Sequence, residues 1–282
     1  MTVADALRGA AAYLSECGVP SPRNDAELLL AHTLGVGRTK LYSAGTVIAP
    51  DERATFDRLV ERRGRREPLA YVLGEWGFRR LTLKVDSRVL VPRPETEVVV
   101  ERCLELLAEI EQPRVLDVGT GSGAIALAVA DEHPGARVVG VDSSVDALEV
   151  ARANAIATGF QVELVEHDLA AGLGAGNFDL VVSNPPYVLS HEIELLEPEV
   201  RDWEPRAALV GEGIAEEVAA AARGALCDGG WLVLEVAAGR AAAVADRLTD
   251  LGYGSVGTTR DLAGVDRVVE GQWEPSRTPP TR

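Results

Sequence analysis

Val115-Leu116-Asp117-Val118-Gly119-Thr120-Gly121-Ser122-Gly123 decides how the rest of this chain is read. A short apolar run, read as a strand, passes into three glycines at alternate positions, and the apolar segment Ala124–Asp131 follows as a helix. Glycines allow the tight turn and let a ligand approach the backbone, and the helix start offers free peptide N–H groups. Asp142, 23 residues past Gly119, closes the next apolar run, Val138–Val141. A carboxylate there is placed to accept hydrogen bonds from two ribose hydroxyls. Asp168 closes the strand after that, where the base of a nucleoside would lie. Asp117, two residues before the glycines, is expected to face the mouth of the site, where it can pair with a cationic amino group.

Working outward, strands and helices alternate. Helix Val145–Ala157, strand Val162–Val165 and strand Phe178–Ser183 come next. A helix over Ile214–Leu226 precedes a turn at Cys227-Asp228-Gly229-Gly230, strand Trp231–Val236 and a helix from about Arg240 to Leu251. Two last strands, around Gly254–Thr258 and Arg267–Val269, are expected to pair as a hairpin. Repeated β–α units imply an α/β fold, with a mostly parallel sheet and helices on both faces.

Strand Phe178–Ser183 stops at Asn184-Pro185-Pro186-Tyr187. A proline cannot donate to a sheet ladder, and the residue before one is held out of the helical region. Asn184 therefore sits at the carboxyl end of a strand, where ligands bind in open α/β sheets. The Asn184 side-chain oxygen and the Pro185 carbonyl can accept the two N–H hydrogens of a planar amide or amino group. Tyr187 is expected to pack against its flat face.

Upstream the chain reads as helical. Thr2 caps a helix running to about Cys17, with Gly18 as its stop; Ser21-Pro22 opens a second that ends at Gly35; Pro50 opens a third, with Phe56, Leu59 and Val60 on one face. Glu61-Arg62-Arg63-Gly64-Arg65-Arg66 reads as a solvated helix end, favoured by the helix dipole, ahead of a docking surface. Alternation around Trp76-Gly77-Phe78 and Leu81–Val85 suggests a hairpin. Val91-Pro92-Arg93-Pro94 is a stiff entry to a helix that begins with the acids of Glu95-Thr96-Glu97.

The 282 residues carry a net charge of −16, unevenly spread: the first 90 hold 14 Lys and Arg against 11 Asp and Glu, so the acidity lies in the remaining two thirds of the chain. Such a surface repels a phosphate backbone, which disfavours a nucleic-acid substrate. No apolar run approaches the length that spans a bilayer, and MTVADALRGA lacks the pattern of a signal peptide, so a cytoplasmic protein is expected. The three cysteines are far apart and the four histidines make no pair at metal-ligand spacing, so no metal is expected. Gly119, Gly121 and Ala124 also satisfy a dinucleotide-binding spacing, which leaves a nicotinamide cofactor open. The placement of Asp117 and the amide-gripping tetrad favour another cofactor.

With both motifs in place, the sequence closely resembles the release factor glutamine methyltransferases, the HemK family of class I S-adenosylmethionine-dependent methyltransferases. The likeness runs through Glu67–Gly74, Val91–Glu97, Asp117–Gly123, Asp142, Val182–Tyr187, Glu204–Leu209 and Arg260–Gly264. It implies a Rossmann-like seven-stranded catalytic domain over 93–273, preceded by a helical domain at 1–73 that docks the substrate protein and a hairpin linker at 74–92, with a disordered tail at 274–282. It implies methyl transfer to the glutamine of a Gly-Gly-Gln loop in peptide chain release factors, with S-adenosylhomocysteine as product. By matching positions, Gly119, Thr120, Gly121, Ser122 and Gly123 would hold the methionine part of the cofactor, Asp142 its ribose, and Leu169 its adenine, beside the Asp117 and Asp168 read above as cofactor-binding from their places at the strand ends. Asn184, Pro185, Pro186 and Tyr187 would hold the glutamine amide, with Asn184 close to the cofactor as well. Some relatives carry an aromatic residue where Leu169 stands, and often Glu-Ile-Gly where this chain has Glu235-Val236-Ala237. Asn-Pro-Pro-Tyr is shared with adenine-N6 nucleic-acid methyltransferases, which remain an alternative, as do an oxidoreductase and a non-catalytic protein that only binds the cofactor.

Overall fold

The computed structural model describes residues 2–42 and 47–274. The expected tail lies, from residue 275 on, outside the described residues. The chain divides into two compact units, one of residues up to Glu75 together with Leu196–Trp203, the other of Trp76–Leu195 together with the residues from Glu204 on.

The first unit is built on α1 (Val3–Glu16), α2 (Pro22–Leu34), α3 (Pro50–Gly64) and α4 (Leu69–Leu73). Thr2 caps α1 by accepting from the Asp5 N–H at 3.2 Å, and Gly35 ends α2 in the left-handed conformation, φ 62°. Leu7, Leu14, Leu29, Leu30, Phe56 and Val60 fill the core between these helices. Each such side chain contributes about 2 kcal/mol of burial free energy.

The arginine-rich end of α3 is not solvated as its composition suggests. Arg63 is 4% exposed, and its Nε donates to Asp25 Oδ2 at 2.8 Å. Arg62 donates to Glu67 at 2.9 Å and to the Tyr71 carbonyl at 3.1 Å. Arg63 is covered by α2 and by the return of the chain at 196–203, so its charge is neutralised by carboxylates rather than by water, while Glu61 and Arg65 stay exposed. A buried charge persists only when paired in this way.

The second unit opens with the hairpin of β1 (Glu75–Phe78) and β2 (Leu81–Lys84), then α5 (Pro94–Leu107). β3 (Arg114–Val118), α6 (Ala124–Glu132), β4 (Arg137–Asp142), α7 (Val145–Thr158), β5 (Val162–Glu166) and β6 (Phe178–Ser183) follow. After the short helices α8 (Pro198–Arg201, folded with the first unit) and α9 (Arg206–Leu209) come α10 (Ile214–Ala225), β7 (Leu226–Glu235), α11 (Ala241–Asp250), β8 (Tyr253–Arg260) and β9 (Asp266–Trp273). The seven strands are ordered β5-β4-β3-β6-β7-β9-β8, and only β9 runs antiparallel to the rest.

Alternation along the strands sorts side chains onto two cores. Val115, Leu180, Val182 and Val233 face α5 and α6, whereas Leu116, Val181, Leu232 and Leu234 face α10 and α11. The turn expected at 227–230 is a bulge inside a continuous strand. Phe178 pairs with Leu226 and Leu180 with Trp231, so the extra residues of β7 loop out, with Gly229 at φ 82°.

The order of the strands places the site. From β3 the chain moves outward to β4 and β5, then returns to lay β6 on the other side of β3. The loops leaving β3 and β6 therefore diverge at the topological switch point, where a crevice opens at the carboxyl ends of the strands.

Candidate active site

The glycine turn is held rigidly. The N–H groups of Gly119 and Thr120 both donate to the Val141 carbonyl, at 2.8 and 3.0 Å, which pins the turn to the end of β4. Gly119, Gly121 and Gly123 lie at φ 73°, 55° and 81°. A Cβ at Gly119 or Gly121 would meet nothing within 4 Å, so glycine is required there by backbone conformation, and the space beside it is free for a ligand. Asn154 of α7, fully buried, donates to the Ser122 carbonyl at 2.9 Å and exchanges hydrogen bonds with the Lys84 backbone. Nothing in the local sequence marks this asparagine out from other polar positions on a helix.

Asp117 departs from its expected place. It is 1% exposed and does not line the cavity. Its Oδ2 accepts from Thr120 Oγ1 at 2.7 Å and from the Ala126 N–H at 3.2 Å, bracing the turn against the first turn of α6. Its Oδ1 is buried without a partner. Burial pushes its carboxyl up to about 7, against the lowering effect of those two bonds. A strand residue whose side chain points beneath the turn cannot also face its mouth.

Above the turn lies a cavity of about 390 Å³, within the ~300–1,000 Å³ range of small-molecule sites. Val118, Gly119, Thr120, Gly121, Ser122, Asp142, Asp168, Leu169, Asn184, Pro185 and Pro186 line it. Asp142 accepts from the Gly121 N–H at 2.9 Å and the Ser144 N–H at 2.9 Å, which fixes its carboxylate at the rim. Asp168 accepts from the Ala170 N–H at 2.9 Å and starts a short 3₁₀ turn carrying Leu169. The structure thus brings the glycine turn, the two strand-end acids and Asn-Pro-Pro to one cavity. Gly123 and Tyr187 do not line the cavity. Burial raises the Tyr187 hydroxyl pKa.

The donor set suits an amphipathic nucleoside with a cationic tail. A fixed carboxylate at the rim can take two hydroxyls, the apolar wall of Val141 and Leu169 offers a flat base a surface, and the glycine turn leaves room for a close backbone approach.

Further polar residues that sequence reading did not single out surround Asn184. Thr96, in the first turn of α5, lines the cavity and meets Asn184. Arg93 also lines it and donates to both carboxylate oxygens of buried Glu204, at 2.6 and 2.7 Å. Glu235, at the end of β7, is 1% exposed, and burial lifts its carboxyl to about 7. Thr96 and Glu235 both occur inside conspicuous motifs, but as single polar letters with nothing to pair them. Among the described residues no cluster of His, Cys, Asp or Glu could hold a metal ion, and no helix is long and apolar enough to cross a membrane. The three cysteines are unbridged.

Known proteins resemble this chain over nearly all of its length. The PrmC N-terminal domain family matches residues 5–74, and the methyltransferase small domain family matches residues 97–197. A release factor glutamine methyltransferase of Geobacter sulfurreducens is 42% identical over 96% of this chain and 95% of its own. Those of Deinococcus radiodurans and Caulobacter vibrioides are 44% and 40% identical, covering 95% and 99% of this chain and 98% and 99% of theirs. Among solved structures, the hMettl16 catalytic domain superposes with a TM-score of 0.55 at 14% identity, over 70% of this chain and 77% of that one. The T. thermophilus 16S rRNA N2 G1207 methyltransferase, in complex with AdoMet and guanosine, gives 0.51 at 18% identity, over 70% and 49%. These two likenesses concern the fold.

Proposed function

The chain belongs to the release factor glutamine methyltransferase family, and on that premise we propose that it methylates the side-chain amide nitrogen of the glutamine in the Gly-Gly-Gln motif of peptide chain release factors, with S-adenosylmethionine as donor. The observation that carries this reading is that Asn184 and Pro185 line the same cavity as the glycine turn and Asp142. An amide gripped there lies beside a nucleoside gripped by Asp142, Asp168 and Leu169.

S-adenosylmethionine supplies an electrophilic methyl group that needs no activation by the protein. The chain's task is to prepare the nucleophile, because an amide nitrogen shares its lone pair with its carbonyl. Asn184 Oδ1 and the Pro185 carbonyl accept the two N–H hydrogens and turn the lone pair toward the methyl carbon. Both bonds strengthen as positive charge grows on nitrogen, so they act in the transition state more than in the ground state. As the C–N bond forms and the C–S bond breaks, the nitrogen gives up one hydrogen as a proton to water, leaving a neutral methylamide and S-adenosylhomocysteine. Holding both partners in line supplies much of the remaining acceleration.

In this reading residues 93–273 carry the chemistry, 74–92 link, and the helices of 1–73 dock the release factor in the cytoplasm. The acidic surface argues for a protein rather than a nucleic acid as the substrate. Incubation with tritiated S-adenosylmethionine and release factor tests it. Label is expected in wild-type release factor and absent when its Gly-Gly-Gln glutamine is replaced; label in DNA or RNA instead would overturn it.

A further inference from the structure

Asn184 can present either end of its carboxamide to the cavity, and only one end accepts the hydrogens of a substrate amide. Its Nδ2 donates to Thr96 Oγ1 at 3.3 Å, and Thr96 Oγ1 donates to Glu235 Oε2 at 2.7 Å. Thr96 is 4% and Glu235 1% exposed, so water does not substitute for either partner. Ser183 pairs with Leu234 across β6 and β7, which brings the next residues along, Asn184 and Glu235, to the same edge of the sheet. The first turn of α5 places Thr96 between them.

The chemistry of the three groups fixes the direction of the chain. A hydroxyl has one proton to give, and an ionised carboxylate can only accept. With the Thr96 proton committed to Glu235, Thr96 Oγ1 can only accept from Asn184. The carboxamide must then turn its nitrogen to Thr96, since its oxygen there would leave two acceptors in contact. Asn184 Oδ1 takes no hydrogen bond among the described residues.

We propose that Thr96 and Glu235 are positioning residues that set the polarity of the Asn184 carboxamide, so that its oxygen faces the substrate amide. This role deepens the proposed function and rests on it for the identity of the substrate. Neither residue need touch the reacting atoms.

The relay depends on the ionisation of Glu235. The groups facing that carboxyl are Thr96, Glu95 and Arg93 from α5 and its lead-in, Tyr187 from the loop after β6, and Arg267 from β9. Burial, with Glu95, holds the proton on, the Thr96 hydrogen bond, Arg267 and Arg93 oppose it, and the balance lies at about 7. A protonated Glu235 donates to Thr96, freeing the hydroxyl proton to point at Asn184 and favouring the reversed carboxamide. The productive polarity therefore belongs to the ionised form, and turnover should rise with pH through that value.

Two readouts on the full chain test the relay. In the protein without cofactor, the ¹⁵N resonance of the Asn184 side chain, identified by its loss in Asn184→Asp, should move between about pH 5.5 and 8.5 in the wild type and stay fixed in Glu235→Gln. In methyl transfer to release factor, Thr96→Val should lower kcat roughly a hundredfold, as misplaced groups do, with a much smaller change in the dissociation constant for S-adenosylmethionine. Thr96→Ser should restore the loss, and Glu235→Gln should abolish the acid limb of the kcat profile. The proposal is overturned by an Asn184 resonance that does not titrate, by an acid limb that survives in Glu235→Gln, or by wild-type turnover in Thr96→Val. A wild-type chain whose Asn184 amide titrates but which leaves release factor unmethylated keeps the relay and sinks the function.

Discussion

Arg63 Nη2 donates to Glu199 Oε1 at 2.8 Å, across 136 positions of sequence. Arg66 donates to both oxygens of Glu199, so the short helix α8 is fastened within the helical unit by two guanidinium groups. Glu199 comes a dozen residues after the Asn-Pro-Pro-Tyr loop, so the chain leaving the candidate site folds next with the helical unit.

Removing the Arg63 guanidinium strands the Asp25 carboxylate, which is buried, whereas Glu199 keeps both of its bonds from Arg66. Breaking one side of a buried pair leaves an uncompensated charge, at about 3–5 kcal/mol. Arg63→Met is therefore expected to lower the unfolding free energy, read from urea titration of the full chain, by that order. A loss below about 1 kcal/mol would mean the network contributes no more than a surface pair.

Asn184→Ala removes an acceptor that acts on the nucleophile and leaves the glycine turn and Asp142 in place. We expect kcat to fall by roughly two to three orders of magnitude, as when one donor of an oxyanion hole is deleted, with a smaller fall in cofactor affinity. Single-turnover kinetics and calorimetry separate the two; near wild-type turnover on release factor would end the amide-clamp reading.

Asp142→Ala acts on the other half of the site. The carboxylate is fixed by the Gly121 and Ser144 N–H groups, so its loss removes both the ribose acceptor and a brace of the turn. The dissociation constant of S-adenosylmethionine is expected to rise at least about tenfold, equivalent to one charge-assisted hydrogen bond. Equilibrium titration measures it, and unchanged affinity would place the nucleoside elsewhere.

The buried acids make stability depend on pH. Asp117 titrates at about 7 in the folded chain, against about 4 for an unfolded aspartate. Between those values the folded state binds the extra proton, so unfolding free energy falls as pH rises, by about 1.4 kcal/mol per pH unit, and levels off above about 7. Glu235 acts with the same sign. Denaturant titrations of the cofactor-free chain should show stability declining from about pH 5 to 7, with a shallower decline in Asp117→Asn. An unchanged slope in that variant would place the proton on another group.

Much of the site was legible because it is written in short stretches. The glycine turn and the prolines after Asn184 act through their own backbone, and each of the two acids is marked by the apolar run it closes. The caps at Thr2 and Gly35 were readable for the same reason. The end of α3 was not, because its arginines are adjacent in sequence while their carboxylates come from α2 and α8. Composition shows that a charge exists, and only packing shows whether water or a partner meets it.

By itself, then, the sequence determined the alternation of strands and helices, the turn that must carry glycine, and the strand end that must carry an amide beside prolines. These are local demands of dihedral angles, periodicity and missing donors. Only the tertiary structure decided that β6 lies beside β3, so that the two motifs share one crevice. It also decided that Asp117 turns inward, that Tyr187 stays off the cavity wall, and that Thr96 stands between Asn184 and Glu235. Those relationships depend on which distant surfaces exclude water together, and no periodicity along the chain encodes that.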